Sequence, residues 1–224
     1  MPYRRDDIIW WIFSFKFCYG DHYCYVIDYL SCHDDWTLWD RLVRTLDEGL
    51  NFNAINEQLL KANRLAIAIL SVCQGNLFLL AGEEFGRTKH GIKNSFASPT
   101  EVNLLDWERA WQNDSLRCYY EGLFKFRKLC PCLCDKTEHA KNSLLSVDYM
   151  EDALVAVTLC DKEGSKYEKL LLLFNMAKEN KTFKLPLGAY KLLVDHDNSF
   201  WWKEKIYVKD QVILPSMTAM FLGV

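Results

Sequence analysis

Gln74-Gly75-Asn76-Leu77-Phe78-Leu79-Leu80-Ala81-Gly82-Glu83-Glu84-Phe85-Gly86-Arg87-Thr88-Lys89 is the stretch on which the fold of this chain turns. Leu77–Ala81 is a near-continuous apolar run bounded by Gly75 and Gly82, the pattern of a strand covered on both faces. A second run of this kind, Tyr25–Ser31, lies upstream and leads into Cys32-His33-Asp34-Asp35-Trp36-Thr37-Leu38-Trp39-Asp40. Between the two, Asp34 to Asp47 places Leu38, Trp39, Leu42, Val43 and Leu46 at helical spacing. Asn56 to Cys73 predicts a second helix, stopped by Gly75. A polar loop, Glu83 to Asn103, follows, and then a helix over Ser115–Leu129 that Pro131 ends. Strand, helix, strand, long loop and helix form the signature of parallel βα units. A closed (β/α)8 barrel takes ~250 residues, so two such units cannot close one and make at most part of an incomplete barrel.

The second half changes character. Ala153–Leu159, Lys169–Phe174, Thr182–Leu185, Tyr190–Val194, Lys205–Val208 and Met217–Leu222 read as short strands. Turn residues separate them at Lys162-Glu163-Gly164, Asn175–Asn180, Pro186–Gly188 and Asp195–Asn198. That rhythm predicts an antiparallel β-sandwich. The fold class is therefore α/β plus β, with residues 1–134 carrying the barrel part and 135–224 the sandwich.

Composition narrows the function. Half of the 224 residues are hydrophobic, enough to bury a core, and the net charge is −3 with no basic stripe, which argues against nucleic acid. Nine cysteines lack zinc-hairpin spacing, since Cys130, Cys132 and Cys134 alternate; they read as reduced thiols of a cytosolic protein. The apolar run Ile8–Phe17 is too short for a bilayer and lacks a cleavage site, so it reads as a buried segment and predicts no membrane partner. No motif calls for a metal or a cofactor.

Taken alone, His33-Asp34 is an ordinary strand-to-helix turn, with Asp34 or Asp35 as helix cap. Glu83-Glu84 reads as structural or cleft-lining, because adjacent loop carboxylates point apart. Ser95, Ser98 and His90 have nothing to orient a nucleophilic triad. Trp201-Trp202 reads as a plug between sheets before it reads as a sugar platform.

The flanking residues change the weight of these signals. His33-Asp34 followed by Thr37-Leu38, Ala81-Gly82-Glu83-Glu84-Phe85 with Arg87-Thr88-Lys89, Asn94-Ser95-Phe96 and Leu105-Asp106-Trp107 together resemble the pullulanase-type debranching enzymes of the α-amylase superfamily. Tyr119-Tyr120, Gly122-Leu123 and Arg127-Lys128 before Pro131 resemble the last barrel helix of that branch. The likeness covers Tyr25 to Cys134 and continues more loosely through Leu172-Leu173-Phe174-Asn175 and Leu185-Pro186; residues 1–24 match nothing.

The resemblance implies a carboxy-terminal fragment of an α-1,6-glucan hydrolase acting on pullulan, glycogen or starch. It makes Asp34 the third acidic residue, which stabilises the positively charged transition state. His33 becomes a sugar-hydroxyl ligand, and Arg87, Lys89 and Asn94 become cleft residues. Three positions depart from the pattern: Asp35 replaces an Asn and adds charge beside Asp34, Phe96 replaces a Tyr, and Cys130 replaces a His. The added charge is expected to raise the pKa of one carboxylate. The family's nucleophile and general acid precede the His-Asp strand by two or more βα units, and only 32 residues precede His33. The chain is thus expected to be catalytically incomplete alone. The alternatives are a glucan-binding accessory protein, or half of a split enzyme completed by an amino-terminal barrel polypeptide.

Overall fold

The structure is a computed structural model and describes residues 27–46, 49–134, 138–150, 153–161 and 164–224. The Ile8–Phe17 run and the Lys162-Glu163 turn lie outside the described residues. Strand β1 (Ile27–Tyr29) is followed by helices α1 (Leu38–Leu46) and α2 (Glu57–Val72) and strand β2 (Asn76–Phe78). The two strands pair in parallel, Ile27 with Asn76, Asp28 with Leu77 and Tyr29 with Phe78. Their following loops therefore leave from the same end. Asn56 caps α2 by accepting a hydrogen bond from the Leu59 amide at 2.9 Å. Thr37, rather than Asp34 or Asp35, caps α1 through the Asp40 amide at 3.1 Å. The helix starts later than its apolar spacing suggested, which frees both aspartates.

Beyond β2 the polar loop is more ordered than its composition predicts. A 3-10 turn, Glu83–Phe85, sits between Gly82 and Gly86, both in the left-handed region. A Cβ on Gly86 would lie 2.6 Å from the Trp39 ring, so the turn requires glycine there. Helices α3 (Thr100–Asn103), α4 (Trp107–Gln112) and α5 (Asp114–Arg127) follow, then α6 (Pro131–Cys134) and α7 (Glu138–Ser143). Pro131 terminates one helix and opens the next, because a first-turn residue has no intrahelical N–H bond to lose. Among the described residues no helix is long and apolar enough to cross a membrane.

The remaining strands are β3 (Leu144–Met150), β4 (Leu154–Cys160), β5 (Lys169–Asn175), β6 (Lys181–Lys184), β7 (Tyr190–Val194), β8 (Tyr207–Val208), β9 (Gln211–Leu214) and β10 (Thr218–Gly223). They form a six-stranded antiparallel sheet, β3-β4-β5-β10-β7-β8, and a two-stranded sheet, β6-β9. Strands β3 and β9 were not foreseen. Gln211–Leu214 has four residues, two of them buried, directly after Asp210 at positive φ.

Both faces of the large sheet are covered. Val155, Val157, Leu172, Phe174 and Phe221 share a core with Leu65, Leu70, Leu116, Leu123 and Phe126 of helices α2 and α5. Their alternates Ala156, Leu171, Leu173 and Leu222 pack with Phe183, Val212 and Leu214 of the small sheet. Each such Leu or Phe contributes about 1.5–3 kcal/mol of burial. The buried Arg127 ties the helical half together, donating to the carbonyls of Ser71, Cys73, Gly75 and Leu133 at 2.5–2.7 Å. Trp201 packs on the inter-sheet core and Trp202 on the helix-facing one, so both serve as packing residues. The seven described cysteines are free thiols, and burial pushes the Cys132 thiol up to about 12.

Candidate functional site

The parallel register brings residues 31–40 and 79–94 side by side, and buried polar contacts stitch them together. The Ser31 hydroxyl donates to the Glu83 carboxyl, and both groups are buried. Asp40, fully buried, accepts from the Thr88 hydroxyl and, at 3.0 Å, from the Lys89 amide. The Lys89 ammonium, 2% exposed, donates to the carbonyl of His33 at 2.7 Å. Burial lowers the Lys89 pKa, and the Arg87 charge lowers it further. Above these ties, the Asp35 amide donates to Asn94 Oδ1 at 3.4 Å, and the Trp36 indole donates to the carbonyl of Gly91 at 3.1 Å.

This frame presents His33 and Asp34 to solvent. Imidazole Nε2 lies 3.3 Å from Asp34 Oδ2, with side chains 84% and 69% exposed. Asp35 adopts φ +62 and sets its carboxylate 3.8 Å from Arg41 and 3.9 Å from Lys93. The charge added at position 35 therefore faces bases. An exposed carboxylate and an imidazole on a rigid, hydrogen-bonded turn can grip hydroxyls and face a developing positive charge.

Of the five residues expected at the site, His33, Asp34, Lys89 and Asn94 gather around this turn. Arg87 is directed elsewhere. Its terminal nitrogens donate to the carbonyls of Ala81 at 3.0 Å and Asn103 at 2.7 Å. Arg87 also lines a cavity of about 360 Å³ with His90, Glu101, Trp107 and Arg109, which excludes His33 and Asp34. Phe96 is 91% exposed. Asp40 has a structural part in the site that sequence reading missed, whereas Glu83 was expected to be structural or cleft-lining. Asp40 lies on an apolar helix face, where a carboxylate is out of pattern, and that was the available signal. Burial raises the Glu83 carboxyl to about 7, against the hydrogen bond from Ser31. Among the described residues no group of three His, Cys, Asp or Glu side chains is placed to hold a metal ion.

No protein-family model matches the sequence. The pullulanase of Bacillus subtilis strain 168 is 29% identical over 171 residues, 75% of this chain and 23% of that protein. A glycogen debranching enzyme of Pectobacterium carotovorum is 26% identical over 68% of this chain and 24% of its own length. The pullulanase of Bacillus acidopullulyticus superposes with a TM-score of 0.86 at 24% identity, over 100% of this chain and 27% of that one. The crystal structure of pullulanase type I from Bacillus subtilis, complexed with maltose, has a TM-score of 0.77 at 25% identity, over 88% of this chain and 27% of its own. By sequence and by fold the chain is thus related to the pullulanase-type debranching glycoside hydrolases, and it spans about a quarter of their length.

Proposed function

We propose that this chain supplies the transition-state-stabilising side of the glucan cleft in an α-1,6-debranching hydrolase. In this reading β1 and β2 are the last two strands of a (β/α)8 barrel, residues 1–134 belong to that barrel, and residues 135–224 form a carboxy-terminal β-sandwich. The carrying observation is the parallel pairing of β1 with β2, which sets His33-Asp34 and the Lys89–Asn94 loop at one strand end. Ligands of parallel barrels sit at that end.

Asp34 acts by fixed charge. As the glycosidic bond breaks, positive charge develops at the anomeric carbon, and a carboxylate held nearby stabilises it more than the ground state. His33 and Asn94 grip ring hydroxyls, while Lys89 and Arg87 hold the loops that present them. The nucleophile and general acid, ~5–5.5 Å apart in a retaining enzyme, belong to barrel strands other than β1 and β2. The substrate is a branched α-glucan, a reading supported by the maltose in the Bacillus subtilis pullulanase structure. Reduced thiols favour a cytoplasmic site of action.

A chimera tests this. Residues 27–224 replace the corresponding segment of the Bacillus subtilis pullulanase, and pullulan hydrolysis is followed. The chimera is expected to be active, and Asp34→Asn to lower its kcat at least ~100-fold, the scale of losing one electrostatic stabiliser. An Asp34→Asn chimera as fast as its parent would remove Asp34 from the mechanism.

A further inference from the structure

A cluster of lysines stands at the β8 edge of the six-stranded sheet, on a chain whose net charge is −3. Lys191 of β7 lies opposite Tyr207 of β8, and directly opposed residues share one side of a sheet. The Lys191 ammonium donates to the carbonyl of Trp202 at 2.8 Å and stands 5.8 Å from the centre of the Tyr167 ring. Lys166, whose amide donates to the Leu129 carbonyl at 3.0 Å, sets its ammonium 5.8 Å from the same ring and 6.0 Å from that of Trp202. Lys203 stands 5.3 Å from the Trp202 ring. Ammonium groups that share a ring are therefore separated by at most twice such a distance. Lys205 adds a further charge, close enough to act on Lys191.

These charges are not balanced nearby. Lys125, over the neighbouring Phe200 ring, is paired with Glu121. Among the described residues, Lys166, Lys191, Lys203 and Lys205 have no carboxylate within ion-pair distance, and the acid acting on Lys191 is Glu204. Burial lowers the Lys191 pKa, and the charges of Lys166 and Lys205 lower it further, as crowding of ammonium groups requires. The buried Tyr167 hydroxyl has no hydrogen-bond partner among the described residues, so the cluster holds a spare donor as well as spare charge. Tyr207, beside Lys191, is 59% exposed and offers a flat aromatic face next to that charge.

We propose that Lys166, Lys191, Lys203 and Tyr207 form a binding site for a phosphorylated sugar, the lysines holding the phosphate and Tyr207 stacking on the ring. Several ammonium donors around one point match the charge and the three acceptor oxygens of a phosphate monoester. The face of Tyr207 is an apolar surface against which the C–H side of a pyranose packs. A long polyanion fits less well, because beyond the cluster it meets a surface of net negative charge. The choice of a phosphorylated glucosyl unit of an α-glucan rests on the glucan reading proposed above, whereas the anion does not.

The test is calorimetric titration of the full chain at low salt with glucose 6-phosphate, inorganic phosphate and glucose. Glucose 6-phosphate is expected to bind, inorganic phosphate to bind more weakly, and glucose to give no signal. The double variant Lys166→Gln, Lys191→Gln should weaken glucose 6-phosphate at least ~10-fold, the scale of one lost charge-assisted bond. Tyr207→Ala should weaken glucose 6-phosphate and leave inorganic phosphate unchanged. Lys181→Gln, which removes a lysine already paired with Glu179, should alter neither. The substituted side chains lie at the surface, and an unchanged urea midpoint separates a loss of binding from a loss of fold. No binding of glucose 6-phosphate, or equal binding by the double variant, would overturn the site. Inorganic phosphate as tight as glucose 6-phosphate, or adenosine monophosphate tighter than both, would overturn the assignment to a sugar. Maltohexaose carries no phosphate and reports on His33 and Asp34 separately; its failure to bind would count against the glucan reading and leave the phosphate result standing.

Discussion

The parallel pair β1–β2 and the antiparallel sheet centred on β4, β5 and β10 are both written in apolar runs, yet among the described residues only the second is covered on both faces. Leu170 to Phe174 are all at most 3% exposed, alternating between the helices and the small sheet. In the parallel pair, Ile27, Tyr29 and Phe78 remain 55%, 47% and 43% exposed among the described residues, and Tyr29 and Phe78 meet edge to face. A run of five apolar residues therefore says that both faces seek cover; it does not say that this chain supplies it. The site sits beside the more exposed pair, and buried polar ties from Ser31, Asp40 and Lys89 hold it there.

That contrast can be attacked in order of expected effect. Arg127 joins four carbonyls around the carboxyl end of α2 and the start of α6, so Arg127→Ala should cost about 3–5 kcal/mol by leaving buried acceptors unpaired. Urea unfolding measures it; a loss below 1 kcal/mol would mean that water replaces the guanidinium. Leu172→Ala, on the helix-facing side of β5, should cost about 2–5 kcal/mol through its cavity. Phe78→Ala on the open strand should cost under about 1 kcal/mol, the scale of a surface change. Equal losses at Leu172 and Phe78 would erase the difference between the regions. The open face should also make the chain self-associate, and Phe78→Ser should reduce that association in sedimentation runs.

Much of this organisation was legible in the residues. Tyr190–Val194 was read with its observed limits, because alternation and flanking turns agree there. The helices read as Asn56–Cys73, from its Leu, Ala and Ile content and Gly75, and as Ser115–Leu129, ended by Pro131, are found over Glu57–Val72 and Asp114–Arg127. Strand β9 was hidden because four residues carry too little periodicity to stand out. At the site, His33-Asp34 could be picked out by resemblance, but the burial of Lys89 and its bond to the His33 carbonyl could not. A lysine beside Thr88 reads as solvent-facing until the strand register places it beneath another loop. Asp40 escaped for the same reason, and Glu83, though read as structural or cleft-lining, was not tied to Ser31. Their partners lie 48 and 52 residues away in sequence, and only the parallel pairing brings them into contact.

The proposed division of labour between β1–β2 and the other strands of a barrel is tested most directly by reducing-sugar release from pullulan. The purified chain is assayed alone and then mixed with a polypeptide carrying the preceding barrel strands of a pullulanase. Silence alone and release on mixing, lost with Asp34→Asn, is the predicted result. Release by the chain alone would place a nucleophile and an acid within these 224 residues and contradict the account.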